Sequence, residues 1–288
     1  METDVFVRDK ENNETLPVLI FPEWKGIPGI RHCFTTRMGG VSSGFLSSLN
    51  LGWERGDEPE NVRENFRRVG EYFHTSPDRI VSAKQTHADH VRVVTEKDAG
   101  KGVTVDRDYT DVDALVTNTP GLVLYTSHAD CTPLYFYDPA KKVIALAHSG
   151  WRGTVAKIAA KTVRSMSEQF GCDPETILVA IGPVICRDCY EVSEDVAVAF
   201  REAGLSEALF PGKTEGKYQL DLAAACRETL IEEGILVQHI TNGEMCTQCH
   251  ANLLFSHRAT NGRRGNCGAF LMLERDCGSN ISKGVIDE

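Results

Sequence analysis

Residues Ser127–Gly153 read SHADCTPLYFYDPAKKVIALAHSGWRG, and this stretch decides how the surrounding chain folds. Two apolar runs, Pro133–Tyr137 and Val143–Ala147, flank Asp138-Pro139-Ala140-Lys141-Lys142, a turn-forming sequence. The pattern predicts two buried strands joined as a hairpin. His128, Asp130 and Cys131 stand before the first run, and His148 stands after the second. A hairpin returns those two ends to one edge of a sheet, so Cys131 and His148 become neighbours there.

Directly downstream, Val155, Ile158, Ala159, Val163, Met166 and Phe170 form one apolar stripe, which predicts a helix over Thr154–Phe170. Thr154 suits its N-cap and Gly171 its stop. Upstream, Val62, Phe66, Val69 and Phe73 recur at helical spacing and predict a helix over Asp57–Phe73. Two further helices are predicted over Ser193–Ala203 and Asp221–Glu233. Short strands are expected at Arg31–Thr36, Ile80–Ala83, Val91–Val94, Ala114–Thr117, Leu122–Thr126, Ile177–Ile181, Val237–Ile240 and Ala269–Leu273. Strands and helices mix without a regular βαβ repeat, so the expected class is α+β. Residues 1–30 read as an N-terminal extension and residues 31–288 as one catalytic domain.

The chain has 288 residues and a formal charge of −10, which argues against a general electrostatic footprint for nucleic acid or an anionic membrane. A locally basic pocket stays compatible with that balance. METDVFVRDKENNETLP has no apolar segment flanked by basic residues, and no stretch approaches the roughly 20 apolar residues that span a bilayer. The expected location is cytoplasmic, and the ten cysteines are expected as reduced thiols. Oligomeric state leaves no mark in the sequence.

Several groups of residues can carry chemistry. His87, Cys131 and His148 suit a Zn²⁺ ion, and three protein ligands leave a fourth position open. From spacing alone, a buried cysteine and hydrogen-bonded histidines are the simpler reading. Cys131 with His148 also fits a metal-free thiolate nucleophile and its base. Two Cys-x-x-Cys pairs, Cys186–Cys189 and Cys246–Cys249, lie far apart in the chain with helices and a strand between them. They need not meet, and free or redox-sensitive thiols are the favoured reading over a structural metal site, which stays the alternative. The zinc deaminase signature, Pro directly before Cys-x-x-Cys with an earlier His-x-Glu, is absent. Gly150-Trp151-Arg152-Gly153, at the start of the expected helix, reads equally as an anion site or as a turn packing Trp151. Gly39-Gly40 after Arg37 marks positive φ or a close backbone approach.

Six segments together resemble one family: TTRMGGVSSG with SLNLG (Thr35–Gly44, Ser48–Gly52), KQTHADHV (Lys84–Val91), DVDALVTNTPGLVLYTSHADCTPL (Asp111–Leu134), AHSGWRGT (Ala147–Thr154), IGPVICRDCYEV (Ile181–Val192) and LLFSHRATNGRRG (Leu253–Gly265). They are similar to the bacterial YfiH/YlmD family of laccase-domain, or "multicopper polyphenol oxidase", proteins, related to animal laccase-domain purine enzymes. Two positions depart from the family pattern, Ala88 where Gly is usual and Ala259 where a second Arg is common.

The resemblance implies a single-domain layered α/β/β/α sandwich of the CNF1/YfiH-like type, with zinc held by His87, Cys131 and His148. It implies phosphorolysis of the purine nucleosides adenosine, inosine and methylthioadenosine, with adenosine deaminase activity beside it. Arg37, Lys84, Arg152, Arg258 and Arg263 are then the expected phosphate and substrate contacts. Arg37 and Arg152 are also expected to be catalytic, with Asp130 handling a proton. For deamination, the expected nucleophile at C6 of adenine is a water acidified by the metal. The chain has nine histidines and no His-x-His pair, too few for multicopper chemistry. A single Cu²⁺ in a His₂Cys set stays an alternative. So do a metal-free cysteine hydrolase or deamidase, a copper-binding polyphenol oxidase, and a non-catalytic metal-binding protein acting through a partner.

Overall fold

The structure, a computed structural model, describes residues 7–8 and 16–275. The tail of the expected domain, 276–288, and residues 1–6 and 9–15 of the expected extension lie outside the described residues. The chain begins with β1 (Val7–Arg8), β2 (Val18–Ile20), β3 (Ile30–Thr35) and α1 (Pro59–Tyr72). Next come β4 (Ile80–Ser82), β5 (Val91–Val93), β6 (Ala114–Thr117), β7 (Val123–His128), β8 (Thr132–Asp138) and β9 (Val143–Ser149). Helices α2 (Trp151–Val155) and α3 (Ile158–Phe170) follow, then β10 (Leu178–Ile181), β11 (Glu191–Ser193) and α4 (Glu194–Glu202). The described chain closes with β12 (Leu209–Pro211), β13 (Lys217–Leu220), α5 (Leu222–Glu232), β14 (Ile240–Asn242) and β15 (Cys267–Leu273).

These strands make two six-stranded sheets, ordered β1-β2-β3-β15-β7-β4 and β14-β10-β8-β9-β6-β5. They stack face to face, and helices cover their outer faces. The hairpin strands show how. Every residue of β8 and β9 is buried. Tyr135, Tyr137, Ile144 and Leu146 point into the core between the sheets, with Leu124 and Leu271 opposite. Leu134, Phe136, Val143, Ala145 and Ala147 point the other way, onto Ile158, Val163 and Met166 of α3 and Leu230 of α5. Successive strand residues face opposite ways, so a strand buried on both sides reads as an unbroken apolar run. On the first sheet, Val62, Phe66 and Val69 of α1 pack on Val123, Phe270 and Met272. The expected α/β/β/α layering and α+β class are what the fold shows. Residues 18–20 pair with β3, and Leu19, Phe21 and Trp24 lie in the inter-sheet core, so the described part of 1–30 is built into the sandwich.

The hairpin register pairs Pro133 with His148 and Thr132 with Ser149. Its turn is held by Asp138, fully buried, whose Oδ1 accepts from the backbone N–H of Ala140 (2.9 Å) and Lys141 (3.0 Å).

Three local expectations need correction. The helix expected over 154–170 is two helices, because Lys157 adopts a left-handed φ of 58° that breaks the run. Thr154 therefore lies inside α2 rather than capping α3, and its hydroxyl donates to Gly150 O at 3.0 Å. The strand expected at Val237–Ile240 is a 3₁₀ turn over Val237–His239 with the strand shifted to Ile240–Asn242. Finally, β11, β12 and β13 form a small third sheet with α4 beside it, which the sequence pattern did not announce.

Candidate metal centre and active site

The hairpin delivers its two ends as expected, and a third side chain joins them. One ligand atom each from His87, Cys131 and His148 lies within 4.8 Å of the others. His148 is buried at the end of β9, Cys131 is half-buried before β8, and His87 is exposed on the loop after β4. The rings of His87 and His148 stand edge to face, 4.9 Å apart.

Asp113, fully buried just before β6, organises this cluster. Its Oδ1 lies 2.8 Å from His148 Nδ1. Its carboxylate also accepts the backbone N–H groups of Thr86 (3.0 Å), His87 (3.2 Å) and Ala88 (3.0 Å). One carboxylate thus fixes the orientation of one ring and the loop that carries the other. Holding that loop matters because His87 has φ 64°, a conformation a non-glycine residue adopts only under constraint. With Nδ1 committed to Asp113, His148 presents Nε2 to the cluster, the usual arrangement behind a metal-binding histidine.

Gly150 completes the cradle. A Cβ there would stand 2.7 Å from His87 Cδ2 and 3.1 Å from Cys131 Sγ, so only glycine leaves the ligands room to converge. The helix starting there, α2, is a single short turn, and Gly150 serves close approach to the cluster. Burial pushes the Cys131 thiol up, but His148 and His87 override it and hold the thiol at about 6. Burial pushes His148 down, but Cys131 and Asp113 lift it to about 9. Each residue favours the charged form of its neighbour, a thiolate beside an imidazolium, so a metal ion binding here has to displace the His148 proton. His128 takes no part as a ligand: its ring nitrogens meet Thr126 Oγ1 (2.8 Å) and Cys131 O (3.1 Å), and burial keeps it neutral.

The other expected site residues separate into two groups. Asp130 borders the cluster at φ 91°, but both carboxylate oxygens are taken. Thr247 Oγ1 donates to Oδ1 (2.6 Å), and the Arg258 N–H donates to Oδ2 (2.7 Å). Arg258 is tied to the cluster's edge through its backbone N–H to Asp130, and Arg152 follows two residues after Gly150. The Arg258 guanidinium lies over the Tyr190 ring at 5.0 Å and donates to Glu191 O at 3.0 Å. Arg152 lies over Trp151 at 4.3 Å.

The remaining three are occupied elsewhere. Arg37 donates to Ser47 O (2.9 Å) and Ala251 O (2.9 Å), tying two loops. The Gly-Gly pair beside it has both expected features: Gly39 has φ 89°, and a Cβ on Gly40 would meet Ser48 O at 2.1 Å. Arg263 lies over Phe45 at 5.1 Å, and Lys84 pairs with Glu54 at 2.8 Å.

Three basic residues were missed. Arg264 is held down to about 10 by burial and by Arg55, against the pull of Cys131 and Asp130, and its buried Nε has no partner. Arg55 and Arg107 join Lys84, Gln85, Ser127 and Asn266 around a cavity of about 120 Å³. Gln85 links that cavity to the hairpin by exchanging two 2.7 Å bonds with Ser127. The Arg263-Arg264 pair was legible as basic sequence, whereas Arg55 carried no signal.

The second surprise is the cysteines. Cys186, Cys189, Cys246 and Cys249 do meet: their four sulfurs lie within 4.8 Å of one another. Distance along the chain misled because Val184 and Cys246 form a parallel bridge that brings the two turns side by side.

Fold and cluster together define a laccase-like α+β enzyme with a His–Cys–His ligand set at a hairpin edge. A family model described as multi-copper polyphenol oxidoreductase laccase matches residues 31–274, and the chain belongs to that family. It is 36% identical over 243 residues to purine nucleoside phosphorylase YlmD of Bacillus subtilis, covering 83% of this chain and 86% of the relative. It is 32% identical to adenosine deaminase RL5 from an unknown prokaryotic organism, covering 81% of this chain and 90% of that one. The crystal structure of the hypothetical protein YfiH from Bacillus licheniformis superposes with a TM-score of 0.86 at 33% identity, covering 93% of this chain and 99% of that chain. Among the described residues no helix is long and apolar enough to cross a membrane.

Proposed function

We propose that this protein is a zinc-dependent purine nucleoside phosphorylase that also deaminates adenosine. Adenosine, inosine and methylthioadenosine are the substrates, with phosphate as the second reactant and the cytoplasm as the location. In phosphorolysis a phosphate oxygen bonds to C1′ of the ribose as the C1′–N9 bond breaks. The bonding pair leaves with the purine, which is released protonated, beside ribose 1-phosphate or its 5-methylthio counterpart.

The observation that carries this reading is the convergence of His87, Cys131 and His148, with Arg152 and Arg258, neither paired with a carboxylate among the described residues, in the flanking segments. The ligand chemistry fits zinc: two imidazoles and a low-pKa thiolate, one ring locked by Asp113, and a glycine leaving room beside them. When bound, the ion supplies Lewis-acid polarisation of a substrate atom at the open position.

Arg152, Arg258 and Arg264 hold the phosphate dianion on the cluster's side. Arg55 and Arg107 supply basic groups to the adjoining cavity, where Lys84 is paired with Glu54. Arg37 and Arg263 shape the loops that frame the opening. Asp130 is a positioning residue, since Thr247 and Arg258 already occupy its oxygens. The metal-free hydrolase reading uses the same low-pKa thiol but leaves the third convergent side chain, His87, without a role.

Product analysis tests the proposal. Inosine with phosphate should give hypoxanthine and ribose 1-phosphate, and adenosine should give adenine together with some inosine. Absence of every one of these products with zinc-loaded protein overturns it.

A further inference from the structure

We propose that Cys186, Cys189, Cys246 and Cys249 bind a second zinc ion, a structural one that clips together the two loops forming the wall of the hairpin site.

The two Cys-x-x-Cys turns are built alike. In the first, a 3₁₀ turn over Arg187–Cys189 closes with Cys189 N donating to Cys186 O at 3.0 Å. In the second, His250 N donates to Cys246 O at 3.1 Å. Backbone bonds hold them in register: Val184 N donates to Met245 O (3.1 Å), and Thr247 N to Val184 O (3.2 Å). The result is four thiols facing one point from segments 60 residues apart.

Their spacing is that of a tetrahedral thiolate site. Zn–S bonds of about 2.3 Å at the tetrahedral angle put sulfurs about 3.8 Å apart. Cys189 Sγ and Cys249 Sγ stand 3.6 Å apart, and all four are free thiols. The Cys246 sulfur accepts two backbone N–H groups, from Cys186 (3.3 Å) and Cys249 (3.4 Å). Such N–H···S bonds orient a thiolate ligand and offset its charge. Four protein ligands leave no open coordination position, so this ion is structural where the hairpin ion is catalytic.

Its position gives it a second consequence. Thr247, inside the second turn, holds Asp130 beside Cys131. Tyr190 and Glu191, directly after the first turn, carry Arg258. Ala251 O, just past the second turn, accepts from Arg37. The ion therefore fixes the residues that line the hairpin site without touching substrate.

The test counts metal and needs no turnover, so it stands or falls apart from the phosphorylase reading. Protein expressed with zinc supplementation and purified under reducing conditions, without chelator, is assayed by elemental analysis. Wild type should hold two zinc ions per chain, Cys131→Ala one, and Cys189→Ser/Cys249→Ser one. Should the double variant fail to fold, Co²⁺-substituted Cys131→Ala decides, since it should keep the intense thiolate-to-cobalt absorption of a four-sulfur site. One zinc per wild-type chain with none in Cys131→Ala overturns the proposal. So does stoichiometric iron in Cys131→Ala, or a Cys186–Cys189 or Cys246–Cys249 disulfide found by mass spectrometry after reducing purification.

Discussion

The two ligand clusters of this molecule differ in nearly every physical respect. The His–Cys–His set draws two residues from the ends of one buried hairpin and the third from a distant loop, with Asp113 orienting His148 and the His87 loop. The four-cysteine set draws two local turns together through a loop-to-loop bridge outside both large sheets. The first is built for an open coordination position against a rigid β-scaffold, the second for closure between loops. The contrast teaches that sheet geometry positions the chemistry, while the cysteine turns hold the loops that surround it.

If that division is right, breaking each cluster has a different signature. The largest effect on stability belongs to the closed site. Cys189→Ser/Cys249→Ser removes a clip between two loops, a loss of about 3 kcal/mol by analogy with a native crosslink. At 2–4 °C per kcal/mol that lowers the melting temperature by about 6–12 °C, read by thermal denaturation. An unchanged melting temperature breaks the comparison. Asp113→Asn probes the open site. It removes the charge that aims His148, and zinc affinity there should fall about 10- to 100-fold, measured by chelator competition in a background lacking the four-cysteine metal. A change under about twofold would show that Asp113 is a packing residue only.

The smallest effect lies remote from both clusters and calibrates them. Burial pushes Asp98 up, but the Thr95 N–H, Lys101 and Arg92 override it and hold the carboxyl at about 2, below its ordinary 3.8. A depressed folded-state pKa gives stability that is complete above about 4 and lost as pH falls towards about 2. Asp98→Asn should therefore cost about 1 kcal/mol at neutral pH, with the difference from wild type vanishing near pH 2 in acid-dependent melting curves.

Much of this was legible in the residues. Strands β8 and β9 announced themselves because burial on both faces leaves an unbroken apolar run, and hairpin closure then placed Cys131 beside His148. His87 was legible by residue type as a candidate ligand with Cys131 and His148, but only the family resemblance favoured it over the simpler reading, because a lone histidine on a loop carries no local pattern. Asp113 was missed, although a buried carboxylate between Val112 and Ala114 at a strand's start is a signal in itself. The break between α2 and α3 was illegible because a lysine in the left-handed region looks like any other helix lysine. The third sheet was hidden by short strands: β12 leaves Phe210 and Pro211 exposed and so shows no alternation. The meeting of the cysteine turns depended on the Val184–Cys246 bridge, a non-local contact that spacing rules cannot see.

The central claim is that the open hairpin cluster, and not the closed one, performs phosphorolysis. Its most direct test follows ribose 1-phosphate formation from inosine and phosphate by ³¹P nuclear magnetic resonance, with wild type and Cys131→Ala side by side, both folded and zinc-supplemented. The account predicts a new phosphate ester resonance with wild type and none above background with Cys131→Ala. Equal rates from the two proteins would contradict it.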